Sequence, residues 1–181
     1  MKTTSYVIVP GLGNSGPAHW QSRWQQSLPN AVRVEQRDWE NPQLAEWLAA
    51  LDEVLKKMSG DAVLIAHSLG VALVAHWAQK FDSSKVRAAL LVSPSDVDSP
   101  ERTPDSVRGF APMPLARLPF KSLVVASTND NFVTFERAHF FADAWGADLE
   151  NIGPCGHINA DSNLGDWPQG LALLTRLSLK I

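Results

Sequence analysis

A serine, an aspartate and a histidine each follow a short apolar run of the sequence and could act together on one substrate. They are Ser68, Asp130 and His157, in that chain order. A serine hydroxyl is a weak nucleophile at neutral pH, so it needs a histidine base, which a carboxylate must hold in the correct tautomer. The three residues therefore predict attack by Ser68 on an ester or amide bond, with His157 as base and Asp130 as its acid.

Ser68 lies between an apolar run, 62–66, and a helix-compatible segment, 71–78. In a sharp strand-to-helix turn the serine hydroxyl projects out of the sheet, and the helix N-terminus behind it offers free N–H groups to a developing oxyanion. Small residues, Ala66 and Gly70, flank the turn, which is the motif G-x-S-x-G with alanine at the first glycine. The alternative is a serine that only caps the helix.

The base has four competitors. His157 lies in a glycine-bracketed loop, 153–157, where the chain order serine, acid, histidine requires the base. The other histidines are His19, which opens the first helix and is a candidate pocket residue, His67, whose side chain we expect to point away from the nucleophile, and His76 and His139, which lie within helical segments.

The acid has two competitors. Asp130 follows the fifth apolar run, which predicts a position at the carboxyl edge of the sheet. Asp96 and Asp98 follow the fourth run and are the alternatives, because some enzymes with this arrangement carry the acid there.

The loop at positions 10–16, PGLGNSG, suggests a different chemistry. Its three glycines have the spacing G-x-G-x-x-G of a dinucleotide-binding loop, and Glu35 nearly supplies the acidic residue expected about 20 positions later. An NAD-dependent oxidoreductase would need a helix that begins near Gly13. Pro17 would then crowd the Gly13 carbonyl, which argues against bound NAD.

We interpret the glycine loop as one wall of a catalytic site. Pro17 is then the first residue of a helix that begins later, with Ser15 or Gly16 as its cap. The glycines allow a tight turn that brings the backbone N–H of Leu12 beside the nucleophile. Together with the N–H of Leu69 it would form the oxyanion hole, in which each donor contributes about 3 kcal/mol to transition-state stabilisation.

Strands and helices alternate along the chain. The apolar runs 6–9, 32–34, 62–66, 88–92 and 123–126, with a weaker one near 149–152, predict buried strands, and segments with helical periodicity lie between them. This alternation predicts a parallel sheet covered on both faces, a three-layer α/β/α sandwich whose ligands bind at the carboxyl ends of the strands. The six prolines between Pro94 and Pro119 predict a folded loop with one short helix over that edge.

Composition excludes several classes of protein. With 181 residues we expect a single domain, 1–181, and the formal charge of −3 without a Lys/Arg run argues against nucleic acid. The apolar run near the start is too short for a signal peptide or membrane span, so we expect a cytoplasmic protein. One cysteine, Cys155, excludes an intrachain disulfide and four-cysteine metal sites, and the chemistry needs no metal or organic cofactor.

The pocket should be built from loops at the carboxyl edge of the sheet. Four of the seven tryptophans have helical spacing and are expected in the core, whereas Trp39 and Trp167 lie at the edges of elements and are candidate pocket residues with His19. The substrate expected there is a small ester or amide.

The chain resembles the α/β-hydrolase superfamily, in particular the small lidless serine hydrolases of the retinoblastoma-binding protein 9 and YdeN family. The resemblance covers nearly the whole chain and rests on Val9-Pro10-Gly11-Leu12-Gly13 with His19-Trp20, Ala66-His67-Ser68-Leu69-Gly70, Ser127-Thr128-Asn129-Asp130 and Gly156-His157-Ile158-Asn159. It implies a six-stranded α/β-hydrolase sheet in the order 2-1-3-4-5-6 without a lid, with Ser68, Asp130 and His157 as triad.

The family resemblance leaves the substrate open. Esterase or peptidase activity is suggested for relatives, and acyl transfer to an acceptor other than water would use the same residues. An alternative is a protein-interaction module on a hydrolase fold whose triad is dispensable, because fold does not dictate function.

Overall fold

The computed structural model describes residues 4–179 and contains one parallel sheet between two layers of helices. The strands are β1 (Thr4–Val9), β2 (Ala31–Arg33), β3 (Asp61–His67), β4 (Val86–Val92), β5 (Lys121–Ala126) and β6 (Asp148–Asn151). The helices are α1 (Trp20–Ser27), α2 (Leu44–Lys57), α3 (Leu69–Lys80), α4 (Phe135–Trp145) and α5 (Pro168–Ser178), with short 3-10 helices at Asp105–Phe110 and Ala160–Ser162.

The order of the strands is β2-β1-β3-β4-β5-β6, and every neighbouring pair is parallel. This confirms the predicted α/β-hydrolase sheet. The order reverses direction at β1 and β3, so the loops that follow these two strands lie side by side at the carboxyl edge. Ligands of open parallel sheets bind at such a point.

Alternating residues of the central strands face two separate cores. Val7 and Val9 of β1 pack with α2, α3 and α4, whereas Ile8 packs with α1 and α5 on the other face. Because both faces are covered, β3 is buried along six of its seven residues. The two helix layers and the sheet are the three layers that the alternation of strands and helices predicted.

The proline-rich connection between β4 and β5 folds over the carboxyl edge of the sheet. Its one helical segment is the 3-10 helix Asp105–Phe110, as the sequence predicted. The guanidinium of Arg108 donates hydrogen bonds to the carbonyl groups of Val97, Ser99 and Thr103 and so holds the turn before this helix in place. Within residues 4–179 no separate lid domain is inserted, and no helix has the length and apolar character needed to cross a membrane.

The start of α1 differs from the prediction. The sequence predicted Pro17 as the first helical residue, but α1 begins at Trp20, with His19 as its cap. The N–H of His19 donates to the Gly16 carbonyl in a preceding turn, and the imidazole Nδ1 accepts from the N–H of Gln21 at 3.1 Å. Histidine therefore performs the capping role expected of Ser15 or Gly16.

The first turn of α3 touches the end of β1 without room for a side chain. A Cβ atom on Gly70 would lie 2.3 Å from the carbonyl oxygen of Val9 and 2.7 Å from that of Pro10. Both obstacles are backbone atoms of a central strand and its loop, which cannot turn aside as a side chain can. Glycine is therefore required where this helix begins.

We predict that Gly70→Ala lowers the free energy of unfolding by about 3 kcal/mol, the upper part of the usual cost of overpacking. Urea unfolding followed by tryptophan fluorescence measures the change. Gly109→Ala is the matched control, because a Cβ there meets no atom within 4 Å. We expect the control to stay within about 1 kcal/mol of wild type, and equal stability of the two variants would contradict the close contact.

Candidate active site

Ser68 occupies the turn between β3 and α3 in a strained backbone conformation. Its φ is 57° and its ψ is −122°, a region that non-glycine residues rarely adopt. The side chain is largely buried, and its Oγ lies 2.8 Å from Nε2 of His157. The turn predicted from the sequence thus aims the hydroxyl at the predicted histidine.

The carboxylate of Asp130 contacts the imidazole of His157. The Nδ1 atom lies 2.9 Å from each carboxylate oxygen, and the Asp130 side chain has no exposed surface. The N–H of Phe132 donates to the same carboxylate at 2.8 Å. An ionised carboxylate only accepts, so Nδ1 carries the proton and Nε2 is free to accept the hydroxyl proton of Ser68.

The two alternative acids are engaged elsewhere. Asp96 forms a bidentate ion pair with Arg137, at 2.8 and 3.0 Å, and Asp98 contacts the same guanidinium at 3.1 Å. The hydrogen bonds that Arg137 donates to Asp96 are the main cause that raises the pKa of the guanidinium. Of the three aspartates considered from the sequence, Asp130 is the one in contact with His157.

Ser95 is a neighbour of Ser68 that the sequence reasoning missed. Its buried Oγ lies 2.7 Å from that of Ser68. Because the Ser68 proton points to His157, Ser95 is the donor in this hydrogen bond. The available signal was topological: Ser95 follows β4, which is paired with β3, so the two strands end side by side.

The two segments that carry the predicted oxyanion donors, Leu12 and Leu69, meet beside Ser68. Leu69 is the first residue of α3, so its N–H has no acceptor within the helix. The β1 loop approaches closely, since a Cβ on Gly11 would lie 3.0 Å from the Leu69 nitrogen and 2.9 Å from the Ser68 Cβ. Leu12 follows Gly11, and both leucines line the cavity at Ser68. The role of their N–H groups as an oxyanion hole stays a prediction.

Two further histidines form a line of rings with His157. The ring of His67 lies 4.9 Å from that of His157 and 4.7 Å from that of His19. The Nε2–H of His67 donates to the backbone carbonyl of His157 at 2.9 Å, a support that sequence reasoning missed. Burial lowers the pKa of His67 well below its usual value, and burial with the charge of Arg33 lowers that of His19 to about 4.

A cavity of about 270 Å³ opens beside Ser68 and is lined by His19, as predicted from the sequence. The other two pocket candidates lie elsewhere. Trp167 is 2% exposed and packs against Trp20 and Trp24, and Trp39 packs edge-on against Trp47. Trp167 belongs to one apolar core, and the partly buried Trp39 packs against the other. The connection between β4 and β5 contributes Ser95, Thr103, Pro104 and Val107 to the lining instead.

Comparisons with known proteins agree with the fold of the chain. The model of a family described as serine hydrolase matches residues 6–176. The chain belongs to the serine hydrolase family. A solved YdeN-like hydrolase from Pectobacterium atrosepticum is 32% identical to this serine hydrolase, with a TM-score of 0.86 over 97% of this chain and 91% of that one.

More distant structures share the fold of this serine hydrolase. The ydeN gene product of B. subtilis is 20% identical, with a TM-score of 0.75 and coverage of 97% of this chain and 98% of that one. Est1E from Butyrivibrio proteoclasticus, solved with ferulic acid, is 19% identical, with a TM-score of 0.70 and coverage of 97% and 86%. A comparison with curated protein sequences gives no significant match.

We predict that buried, neutral His19 makes the stability of this serine hydrolase fall in acid. Burial lowers the folded pKa of His19 to about 4, below the ordinary histidine pKa of 6.5 that applies in the unfolded chain. Between these pH values the unfolded chain binds a proton that the folded chain does not, so stability is lost as the pH falls. Replacement by asparagine, which also caps helices, should reduce this slope by up to about 1.4 kcal/mol per pH unit.

Urea unfolding of wild type and His19→Asn between pH 4.5 and 7.5 measures the difference in slope. His139→Gln is the control, because this histidine lies on the surface of α4 with 56% of its side chain exposed. Identical pH slopes for wild type and His19→Asn would contradict a neutral, buried His19.

Proposed function

We propose that this serine hydrolase cleaves small ester or amide substrates through an acyl-enzyme formed on Ser68. The observation that carries the proposal is the continuous hydrogen-bonded series from Asp130 through His157 to Ser68 at a cavity. Nucleophile, base and orienting acid are all within hydrogen-bond distance, as this chemistry requires. A solved structure with the same fold, esterase 2 from Thermogutta terrifontis, supports an ester as the substrate.

Acylation begins when the Ser68 Oγ attacks the carbonyl carbon of the substrate. His157 accepts the hydroxyl proton at Nε2, and Asp130 stabilises the imidazolium that forms. The oxyanion accepts hydrogen bonds from the N–H groups of Leu12 and Leu69, where α3 also presents its positive end. His157 then gives its proton to the leaving group, which departs as an alcohol or amine.

Deacylation repeats the same proton transfers with water. His157 removes a proton from water, hydroxide attacks the ester carbon, and the proton returns to the Oγ of Ser68 as the acid product leaves. Ser95 donates to this Oγ at 2.7 Å in the resting enzyme and so holds the hydroxyl in the rotamer that faces His157. No step needs a metal or organic cofactor.

Ser68→Ala should abolish both ester hydrolysis and labelling by a fluorophosphonate, in which the serine oxygen bonds to phosphorus and fluoride leaves. Mass spectrometry of the labelled peptide identifies the modified residue. Ser84→Ala, an exposed serine outside the cavity, is the control and should label like wild type. Labelling that survives in Ser68→Ala would refute the assignment of Ser68 as the nucleophile.

A second pair of variants tests the acid. Asp130→Asn should lower kcat on the order of 10³-fold or more, because an amide no longer holds the His157 tautomer with Nε2 free. Asp96→Asn is the matched control. It removes a buried carboxylate that also follows a strand of the sheet but pairs with Arg137, so this variant should keep most of the activity. Both are assayed at a temperature where circular dichroism shows a folded protein. Equal losses would argue against Asp130 as the acid.

A further inference from the structure

We infer that the acyl group of the substrate is short and carries no charge. This inference rests on the proposed function and concerns the cavity in which the acyl-enzyme would form. That cavity has a volume of about 270 Å³. Pockets for drug-sized ligands measure about 300–1,000 Å³, so this space suits a small acyl chain.

The first argument is the chemistry of the lining. The apolar part includes Leu12, Pro104, Val107, Phe132 and Ala160. The polar residues there are serine, threonine, asparagine and histidine, and within residues 4–179 no Lys, Arg, Asp or Glu lines this cavity. An acyl group with a carboxylate or an ammonium ion would leave water without meeting an ion of opposite charge.

The second argument is that nearby charged side chains already have hydrogen-bond partners within the protein. Arg33 lies behind Asn14 of the lining, but its guanidinium donates to Asn14, Ser15, Ser22 and Gln25. Arg108 donates to the backbone of the loop that carries Thr103. The carboxylate of Asp130 is buried behind His157, which it contacts through both oxygens.

Two histidines of the lining, His19 and His67, supply no compensating charge either. His67 is only 5% exposed, and its Nε2–H donates to the His157 carbonyl. His19 is 4% exposed, and its Nδ1 accepts from the backbone of α1. Burial disfavours the charged form of both, so neither offers a charged partner to the acyl group.

Three ethyl esters of nearly equal acyl length test the inference: ethyl pentanoate, monoethyl succinate and ethyl 4-aminobutanoate. They end in a methyl group, a carboxylate and an ammonium ion. Ethanol release gives kcat/KM for each. Burial of an unpaired charge is costly, so we expect kcat/KM to be on the order of 100-fold lower for both charged esters. A charged ester within about tenfold of ethyl pentanoate would overturn the inference.

A variant pair tests whether the cavity itself sets this preference. Ala160 is half-buried in the lining, outside the proposed catalytic residues. Ala160→Asp should raise the rate of ethyl 4-aminobutanoate relative to ethyl pentanoate by on the order of tenfold, because the new carboxylate can pair with the ammonium ion. Ala160→Asn has the same shape without charge and should leave the ratio unchanged. Equal ratios in the two variants would count against the inference.

Fluorophosphonate labelling separates this inference from the proposed function. Labelling at Ser68 with equal turnover of the three esters would leave the hydrolase intact and overturn the charge preference alone. Failure of both labelling and turnover of all three esters would overturn the proposed function, and the inference with it.

Discussion

The close approach of two backbones around Ser68 is the constraint on which the rest of the site depends. On one side the start of α3 meets the end of β1, where a Cβ on Gly70 would lie 2.3 Å from the Val9 oxygen. On the other side the β1 loop passes close to the start of α3, where a Cβ on Gly11 would lie 3.0 Å from the Leu69 nitrogen. These contacts bring a strained serine, a helix N-terminus and a second strand-end loop together. Of the three glycines that resembled a phosphate-binding loop, Gly11 is therefore explained by the approach to Ser68, whereas Gly13 adopts a positive φ of 72° in the turn.

Most of the fold could be predicted from the sequence because its signals are local. The central strands are short, largely buried apolar runs, and each helix carries an apolar stripe, so both can be recognised without knowledge of the partner. The edge strands β2 and β6, also predicted as buried, contain no buried residue because each has a neighbouring strand on one side only. The positions of Ser68, Asp130 and His157 follow from the same logic, since the carboxyl ends of parallel strands meet at one edge. The helix cap at His19 was missed because histidine is an unusual cap.

The parts that sequence could not predict depend on contacts between distant segments. Ser95 was one of several serines in a proline-rich stretch, and only the pairing of β3 with β4 brings it to 2.7 Å from Ser68. Trp39 and Trp167 lie next to loops in sequence, but Trp167 is buried in one core and the partly buried Trp39 packs against the other, because large apolar side chains favour burial. Burial cannot be read from position at the edge of an element.

The buried histidines connect the packing of the core with the electrostatics of the proposed reaction. In that reaction His157 becomes positively charged, and a charged His67, with its ring 4.9 Å away, would oppose the step. Burial keeps His67 neutral, yet its Nε2–H still holds the His157 carbonyl. A lysine or arginine there would hold the loop equally well but carry a charge into the site. A neutral imidazole supplies the hydrogen bond alone, so the Asp130 carboxylate is the ion that the protonated His157 contacts.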